Sequence, residues 1–287
     1  LAARGDADRA IDLLRARLDV SSDGQRFRGP RWRDRRRGAG SLRRIGELSR
    51  EDVAAGAQRA LEEALVPFVR RAVEQTGCRN VALAGGVFAN VALNRVLSEL
   101  PEVDGVWVHP GMSDQGIGLG AALLALARSE GGLAPRPMEH VYLGPSWTEA
   151  ACAEAIERAG VTATRPPNLA EVAADLLVAG KAVARFDGAM EYGPRALGNR
   201  SILVRPDDSS VNDWLNRRLQ RSEYMPFAPV SMARHARRLY AGMGPASACL
   251  PFMTIALPVL DAARQQHAGV VHVDGTARPQ VLRRAHN

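Results

Sequence analysis

Lysine is almost absent from this chain: Lys181 stands alone against 37 arginines. A bias that extreme reads as codon usage, so the placement of arginines carries information and their number does not. Cysteine is also scarce. Cys78, Cys152 and Cys249 form neither a CxxC pair nor a metal-ligand spacing, which fits small side chains in a reducing compartment. No apolar run approaches the roughly eighteen residues of a membrane span, and the opening LAARGDADRAIDLL carries aspartates where a signal peptide would be apolar. A soluble, cytoplasmic protein is expected, and the sequon Asn199-Arg200-Ser201 then has no role. GxSxG and Walker sequences are missing, which removes the commonest hydrolase and P-loop chemistries. The six histidines show no HExxH or close pairing, so no complete metal site is legible. There is no repeat of solenoid length.

What is present begins with charge. The formal net charge is +7. The first fifty residues hold 14 arginines against 7 acidic groups, and the remainder balances at 24 against 24. The whole excess therefore lies around RFRGPRWRDRRRGAGSLRR, which reads as a solvated loop, with a nucleic-acid arm as the alternative.

At 287 residues and 46% apolar content the chain has room for two cores. From Ser49, with Asp52 three residues on and apolar positions Val53, Ala57, Leu61, Leu65, Phe68 and Val69, the pattern predicts a helix to about Gln75, ending near Gly77. Asn80 to Ala84 reads as a buried strand, Gly85-Gly86 as a turn and Ala89 to Leu100 as a helix. The unit then repeats, with Val106 to Val108 as a strand, His109 to Gln115 as a loop and Gly118 to Ser129 as an apolar helix. Alternation of this kind predicts an α/β lobe over residues 1–130. A Gly/Pro-rich linker is expected at 131–145, followed by a second domain, of α+β type, over 146–287. There Glu149 to Ala159, Leu169 to Ala179 and Val211 to Leu219 read as helices. Ala182 to Phe186, Ser201 to Val204, Phe252 to Val259 and Val270 to Val273 read as strands.

Several segments carry chemistry. Between Arg185 and Pro229, arginines alternate with glycine, proline and asparagine turns, the composition of an anion site, because a planar guanidinium fork matches phosphate oxygens in pairs. Arg195 and Arg200 flank the Gly198-Asn199 turn, Arg221 and Arg278 come from other segments, and Glu191 is placed to orient one of them. The competing reading pairs surface arginines with Asp207, Asp208 and Asp213. Ala84-Gly85-Gly86 to Asn90 lies between strand and helix, where free backbone N–H groups hold phosphate or nucleoside, or simply turn the chain. Gly116 to Ala121 formally satisfies GxGxxA, but the seven-residue loop HPGMSDQ separates it from its strand, which argues against a dinucleotide fold. Asp114, in that loop, is a cation ligand or a turn former.

In order, DVAAGAQRALEEAL (52–65), LAGGVFANVALN (83–94), HPGMSDQGIGLGAAL (109–123), GAMEYGPRALGNRSIL (188–203), RSEYMPFAPV (221–230) and HVDGTARPQ (272–280) resemble the carbamoyltransferase family that includes nodulation and antibiotic O-carbamoyltransferases. The resemblance implies the C-terminal part of an actin-like kinase-type lobe, followed by a threonylcarbamoyladenylate-synthase-like domain. It implies a reaction in which carbamoyl phosphate and ATP yield carbamoyladenylate and pyrophosphate, and the carbamoyl group passes to a hydroxyl of a small-molecule or glycan acceptor. Catalytic roles are implied for Arg195, Arg200 and Glu191. Substrate or nucleotide contacts are implied for Gly85, Gly86, Asn90, Gly193, Arg221 and Arg278. Asp114 is implied as ligand to a divalent metal of iron or magnesium type. A second copy of the chain is a candidate partner; membrane and nucleic acid are not expected ones. The alternatives are a tRNA-modification-type carbamoyladenylate enzyme or RNA-binding partner, and a non-catalytic nucleotide-binding module. Against the family pattern, the two metal histidines of an earlier segment and a later Asn-Thr-Ser-Phe-Asn motif are absent. Gln220 stands where lysine is common, and Ser113 and Gln115 where glycines are. The chain is therefore expected to be a piece of a larger enzyme with an incomplete metal site.

Overall fold

A computed structural model describes residues 2–15, 19–20, 27–28, 43–129, 131–132, 134, 136–218, 220 and 227–283. Arg221 and nearly all of the arginine-rich segment lie outside the described residues.

The longest element is α1, Arg50–Thr76. Its start follows the predicted cap: the Ser49 hydroxyl accepts the N–H of Asp52 at 3.0 Å, satisfying a donor that the first turn leaves open. Gly77, at φ 67°, closes it in the left-handed cap conformation. Ala60, Ala64, Leu65, Val69 and Val73 form its buried stripe. That stripe packs on a parallel pair, β1 (Asn80–Leu83) and β2 (Gly105–Val108), in register from Asn80 opposite Gly105 to Leu83 opposite Val108. The crossover between them is α2, Val91–Ser98, whose Leu93 and Leu97 are fully buried. One expectation needs correcting here: β1 is not buried along its length, and only its last residue, Leu83, is enclosed. The helix expected from Gly118 begins at Gln115 and runs to Ser129 as α3, and although apolar it buries none of its residues. Ile117 and Leu124 stay more than half exposed.

The later segment contributes α4 (Glu149–Arg158), α5 (Leu169–Val178), the antiparallel pair β3 (Val183–Phe186) and β4 (Arg200–Leu203), and α6 (Ser210–Arg218). Two strand expectations fail. Of Phe252 to Val259, only Leu257–Pro258 (β6) is strand, paired antiparallel with Thr276–Ala277 (β7), and Val270 to Val273 forms none. The apolar run is spent on the first lobe's core instead of on a ladder. Thr254 and Ile255 have no exposed surface, Ala256 N–H reaches the Val91 carbonyl at 3.1 Å, and Val106 N–H reaches the Pro245 carbonyl at 2.9 Å. A further pair was not anticipated: Val230–Met232 (β5) runs parallel to Gln280–Leu282 (β8).

The architecture is mixed α/β with small two-stranded sheets. One apolar cluster joins Leu65, Leu93, Val106 and Val108 to Tyr240, Cys249, Ile255, Leu257 and Val281, so residues 236–281 share the core of the first lobe. Asn94, wholly buried, ties the two stretches together by donating to the carbonyls of Phe88 at 2.8 Å and Thr254 at 2.7 Å. Among the described residues no helix is long and apolar enough to cross a membrane.

Candidate functional site

The loop from Ala189 to Asn199 is organised by one carboxylate. Glu191, 8% exposed, accepts with a single oxygen from the backbone N–H groups of Leu197 and Asn199 at 2.8 Å and of Arg200 at 3.1 Å. A carboxylate taking several N–H donors shapes a loop much as a helix cap does, and each charge-assisted bond outweighs a neutral one. Glu191 thus acts on the loop's backbone; no ion pair with an arginine is seen for it among the described residues. The turn is pinned from behind as well, because the Tyr142 hydroxyl and the Gln280 amide both donate to the Leu197 carbonyl at 2.9 Å.

This loop presents Arg195 to a cavity of about 620 Å³ whose walls include Arg185, Arg200, Arg278, Ser201, Met253 and Gln280. Arg195 is half-buried, and its Nε is sealed from solvent with no hydrogen-bond partner among the described residues. Its pKa is lowered to about 10, first by burial and second by the charge of Arg278. Two guanidiniums facing one cavity repel, and an anion in the space they share would relieve that repulsion. Arg195 also reaches the first lobe, with Nη2 at 3.5 Å from the Ala89 carbonyl.

Arg200 lines the same cavity but spends its donors on structure. Its Nη1 donates to the carbonyls of Asp187 at 2.6 Å and Asn199 at 2.9 Å, its Nη2 to Gly188 at 3.1 Å, and its plane lies 3.8 Å from the Phe186 ring centroid. Arg185, not singled out as a site residue from sequence, is held by Asp187 at 2.6 Å and faces the cavity, a position its strand parity with Val183 could have suggested. Asp274 is a second residue missed. It accepts from the N–H and hydroxyl of Thr276 at 3.0 and 2.7 Å and pairs with His272 at 3.0 Å, fixing the turn that delivers Arg278. The Asp-Gly turn inside HVDGTARPQ was the available signal.

In the first lobe, the exposed Gly85-Gly86 turn is anchored by Gly85 N–H on the Met112 carbonyl at 2.7 Å, which sets it beside the loop of Asp114. Asn90 caps α2, accepting from Leu93 N–H at 3.0 Å, and donates to Gln58 at 2.6 Å, so its amide serves the fold and the turn's backbone faces outward. Asp114 is exposed, and among the described residues no group of three His, Cys, Asp or Glu side chains converges on it or elsewhere. Gly193 lies against the Pro110 carbonyl of the first lobe, and Arg221 lies outside the described residues.

Comparison with known proteins bears on this geometry. Residues 35–123 match the family description "Carbamoyltransferase N-terminus" and residues 174–287 match "Carbamoyltransferase C-terminus". Nodulation protein NolNO of Sinorhizobium fredii is 35% identical over 82% of this chain and 35% of its own length. Nodulation protein NolO of Bradyrhizobium diazoefficiens is 33% identical over the whole chain and 54% of its own length. Nodulation protein U of Sinorhizobium fredii is 33% identical over 86% of the chain and 42% of its own. The chain thus spans between about a third and just over half of the relatives it matches.

Proposed function

Because the chain belongs to the carbamoyltransferase family, we propose that it carries the adenylating half of an ATP-dependent O-carbamoyltransferase together with part of the lobe that transfers the carbamoyl group. In this reading residues 146–287 are the threonylcarbamoyladenylate-synthase-like domain, and the β1-α2-β2 unit belongs to an actin-like lobe within residues 1–130. Water attacks the phosphorus of carbamoyl phosphate, releasing inorganic phosphate and carbamate. A carbamate oxygen then displaces pyrophosphate from the α-phosphorus of ATP, giving carbamoyladenylate. The acceptor hydroxyl attacks the carbamoyl carbon, loses its proton and expels AMP.

The observation that carries this reading is the pair Arg195 and Arg278 on a cavity of about 620 Å³, with the Arg195 Nε sealed and without a hydrogen-bond partner among the described residues. Fixed donors of this kind stabilise charge that develops on phosphoryl oxygens, and they need no reorganisation at the moment of reaction. Glu191 holds the loop, Arg195 and Arg278 receive the phosphates, and Arg200 braces the wall against Phe186. The Gly85-Gly86 turn is the candidate second anion contact, in the transfer lobe. A metal at Asp114 would need donors from outside the described residues, and no step of the proposal runs through one. The acceptor is a hydroxyl compound, small molecule or glycan.

The test is pyrophosphate release from ATP by the protein at its gene-encoded length, with and without carbamoyl phosphate. Release that depends on carbamoyl phosphate, and that disappears in a folded Arg195→Ala variant, is expected. Unchanged release in that variant removes Arg195 from the site, and no dependence on carbamoyl phosphate sinks the reading itself.

A further inference from the structure

Tyr192 sits at the seam between the arginine loop and the first lobe, and its surroundings are shaped to hold it. Its backbone N–H donates to the Val141 carbonyl at 2.6 Å, and its hydroxyl donates to the carbonyl of Gln115, the first residue of α3, at 3.1 Å. Its ring meets His109 edge-on, with centroids 5.8 Å apart. His109 is itself oriented, accepting the Gly111 N–H at its Nδ1 at 3.0 Å, and burial holds it below the usual histidine range, in the neutral form that this acceptor role requires.

The approach is too close for any side chain at two positions. A Cβ on Gly111 would stand 2.5 Å from the Tyr192 hydroxyl and 2.7 Å from the ring carbon that bears it. On the other side Gly193, at φ 102°, would put a Cβ 3.0 Å from the Pro110 carbonyl. The two loops are therefore interlocked, Tyr192-Gly193 against Pro110-Gly111, and the fit depends on glycine in both. Arg195 is three residues beyond Tyr192, and Pro194, Arg195, Ala196 and Gly198 of the same loop form one wall of the cavity. Asp114 is three residues beyond Gly111.

Resting on the two-step reading above, we propose that Tyr192 is a positioning residue: it clamps the arginine wall to the first lobe and so retains the acyl adenylate formed against Arg195. The hydroxyl bond is exposed, so it adds little to stability. Its consequence falls on where the wall rests. A wall that swings away lets carbamoyladenylate escape, and water then splits it into AMP and carbamate. Retained adenylate is instead available for reversal, in which pyrophosphate attacks the α-phosphorus, expels carbamate and regenerates ATP.

Two rates separate these fates without any acceptor: exchange of labelled pyrophosphate into ATP, and net formation of AMP, both with carbamoyl phosphate present. Wild-type protein at its gene-encoded length should exchange faster than it forms AMP. Tyr192→Phe, which keeps the ring on His109, should lower the exchange-to-AMP ratio about threefold. Tyr192→Ala, and independently Gly111→Ala from the opposite side, should lower it about tenfold, with circular dichroism confirming that each variant is folded. An unchanged ratio in Tyr192→Phe together with either folded partner variant overturns the clamp and leaves the functional reading standing. Absence of carbamoyl-phosphate-dependent exchange in the wild type overturns the reading, and the clamp with it.

Discussion

Arg278 lies near enough to Arg195 to help press that guanidinium down to a pKa of about 10, burial being the larger cause. The sign matters. Unfolded, Arg195 binds its proton more tightly than when folded, so its charge costs stability at neutral pH, and the cost fades only as pH rises through about 10. Arg195→Met, which keeps volume and removes charge, should therefore raise the Tm of the ligand-free protein by about 2–4 °C, on the order of 1 kcal/mol, while ending pyrophosphate release. A melting curve beside an activity assay checks both halves, and a lowered Tm with activity retained would mean that the arginine is structural.

Glu191 predicts the opposite balance. Removing its carboxylate leaves the N–H groups of Leu197, Asn199 and Arg200 without their acceptor. Glu191→Ala should cost about 3 kcal/mol, measured by urea denaturation, and Glu191→Gln, which retains one acceptor oxygen, about half of that. Both should lose pyrophosphate release because the Arg195 loop loses its shape. Equal stability in all three proteins would show that the loop is held by other contacts.

Much of this was legible in the sequence because it is local. Ser49 with Asp52 and Gly77 bound α1 through rules that involve only a few neighbouring residues, and the β1-α2-β2 alternation follows from apolar runs and turns. The arginines set among glycine, proline and asparagine turn residues marked out the loop that does line a cavity. What stayed hidden is long-range. Thr254 and Ile255 look like a strand because both strands and buried coil need apolar residues, and only the partner 160 residues away, Asn94, decides between them. The different fates of Arg195 and Arg200 were equally invisible: the carbonyls of Asp187 and Gly188 come to Arg200 through the turn, and nothing in its identity announces them.

That long-range tie is itself testable. Asn94 has no exposed surface and holds the Phe88 and Thr254 carbonyls with one amide. Asn94→Ala strips both carbonyls of their donor and opens a small void, and should cost about 2–4 kcal/mol. Asn94→Asp, which turns the donor into an acceptor facing two carbonyls, should cost more. Hydrogen exchange offers the sharper readout: the amide of Ala256, bonded to the Val91 carbonyl, should lose protection in both variants, whereas the amide of Gly77, bonded to the Val73 carbonyl at the end of α1, should keep its own. Uniform loss of protection would mean that the tie is no stronger than its surroundings.

Asp274 gives a pH signature. Burial alone would raise its carboxyl, but the hydrogen bonds from the Thr276 hydroxyl and N–H and from His272 together hold it below the usual carboxylate range. A depressed folded pKa means that the folded protein binds this proton less readily than the unfolded chain. The stabilising share is therefore complete above about pH 4, the ordinary aspartate value, and is lost as pH falls through the lower folded value. Asp274→Asn should flatten that acid limb of the stability curve and leave it unchanged near pH 7 apart from a constant offset. Because the Asp274-Gly275 turn leads through β7 to Arg278, the same variant should weaken ATP-dependent pyrophosphate release several-fold at every pH. An unaltered acid limb would show that the carboxylate is not what holds this turn, and unaltered release would detach Arg278 from it.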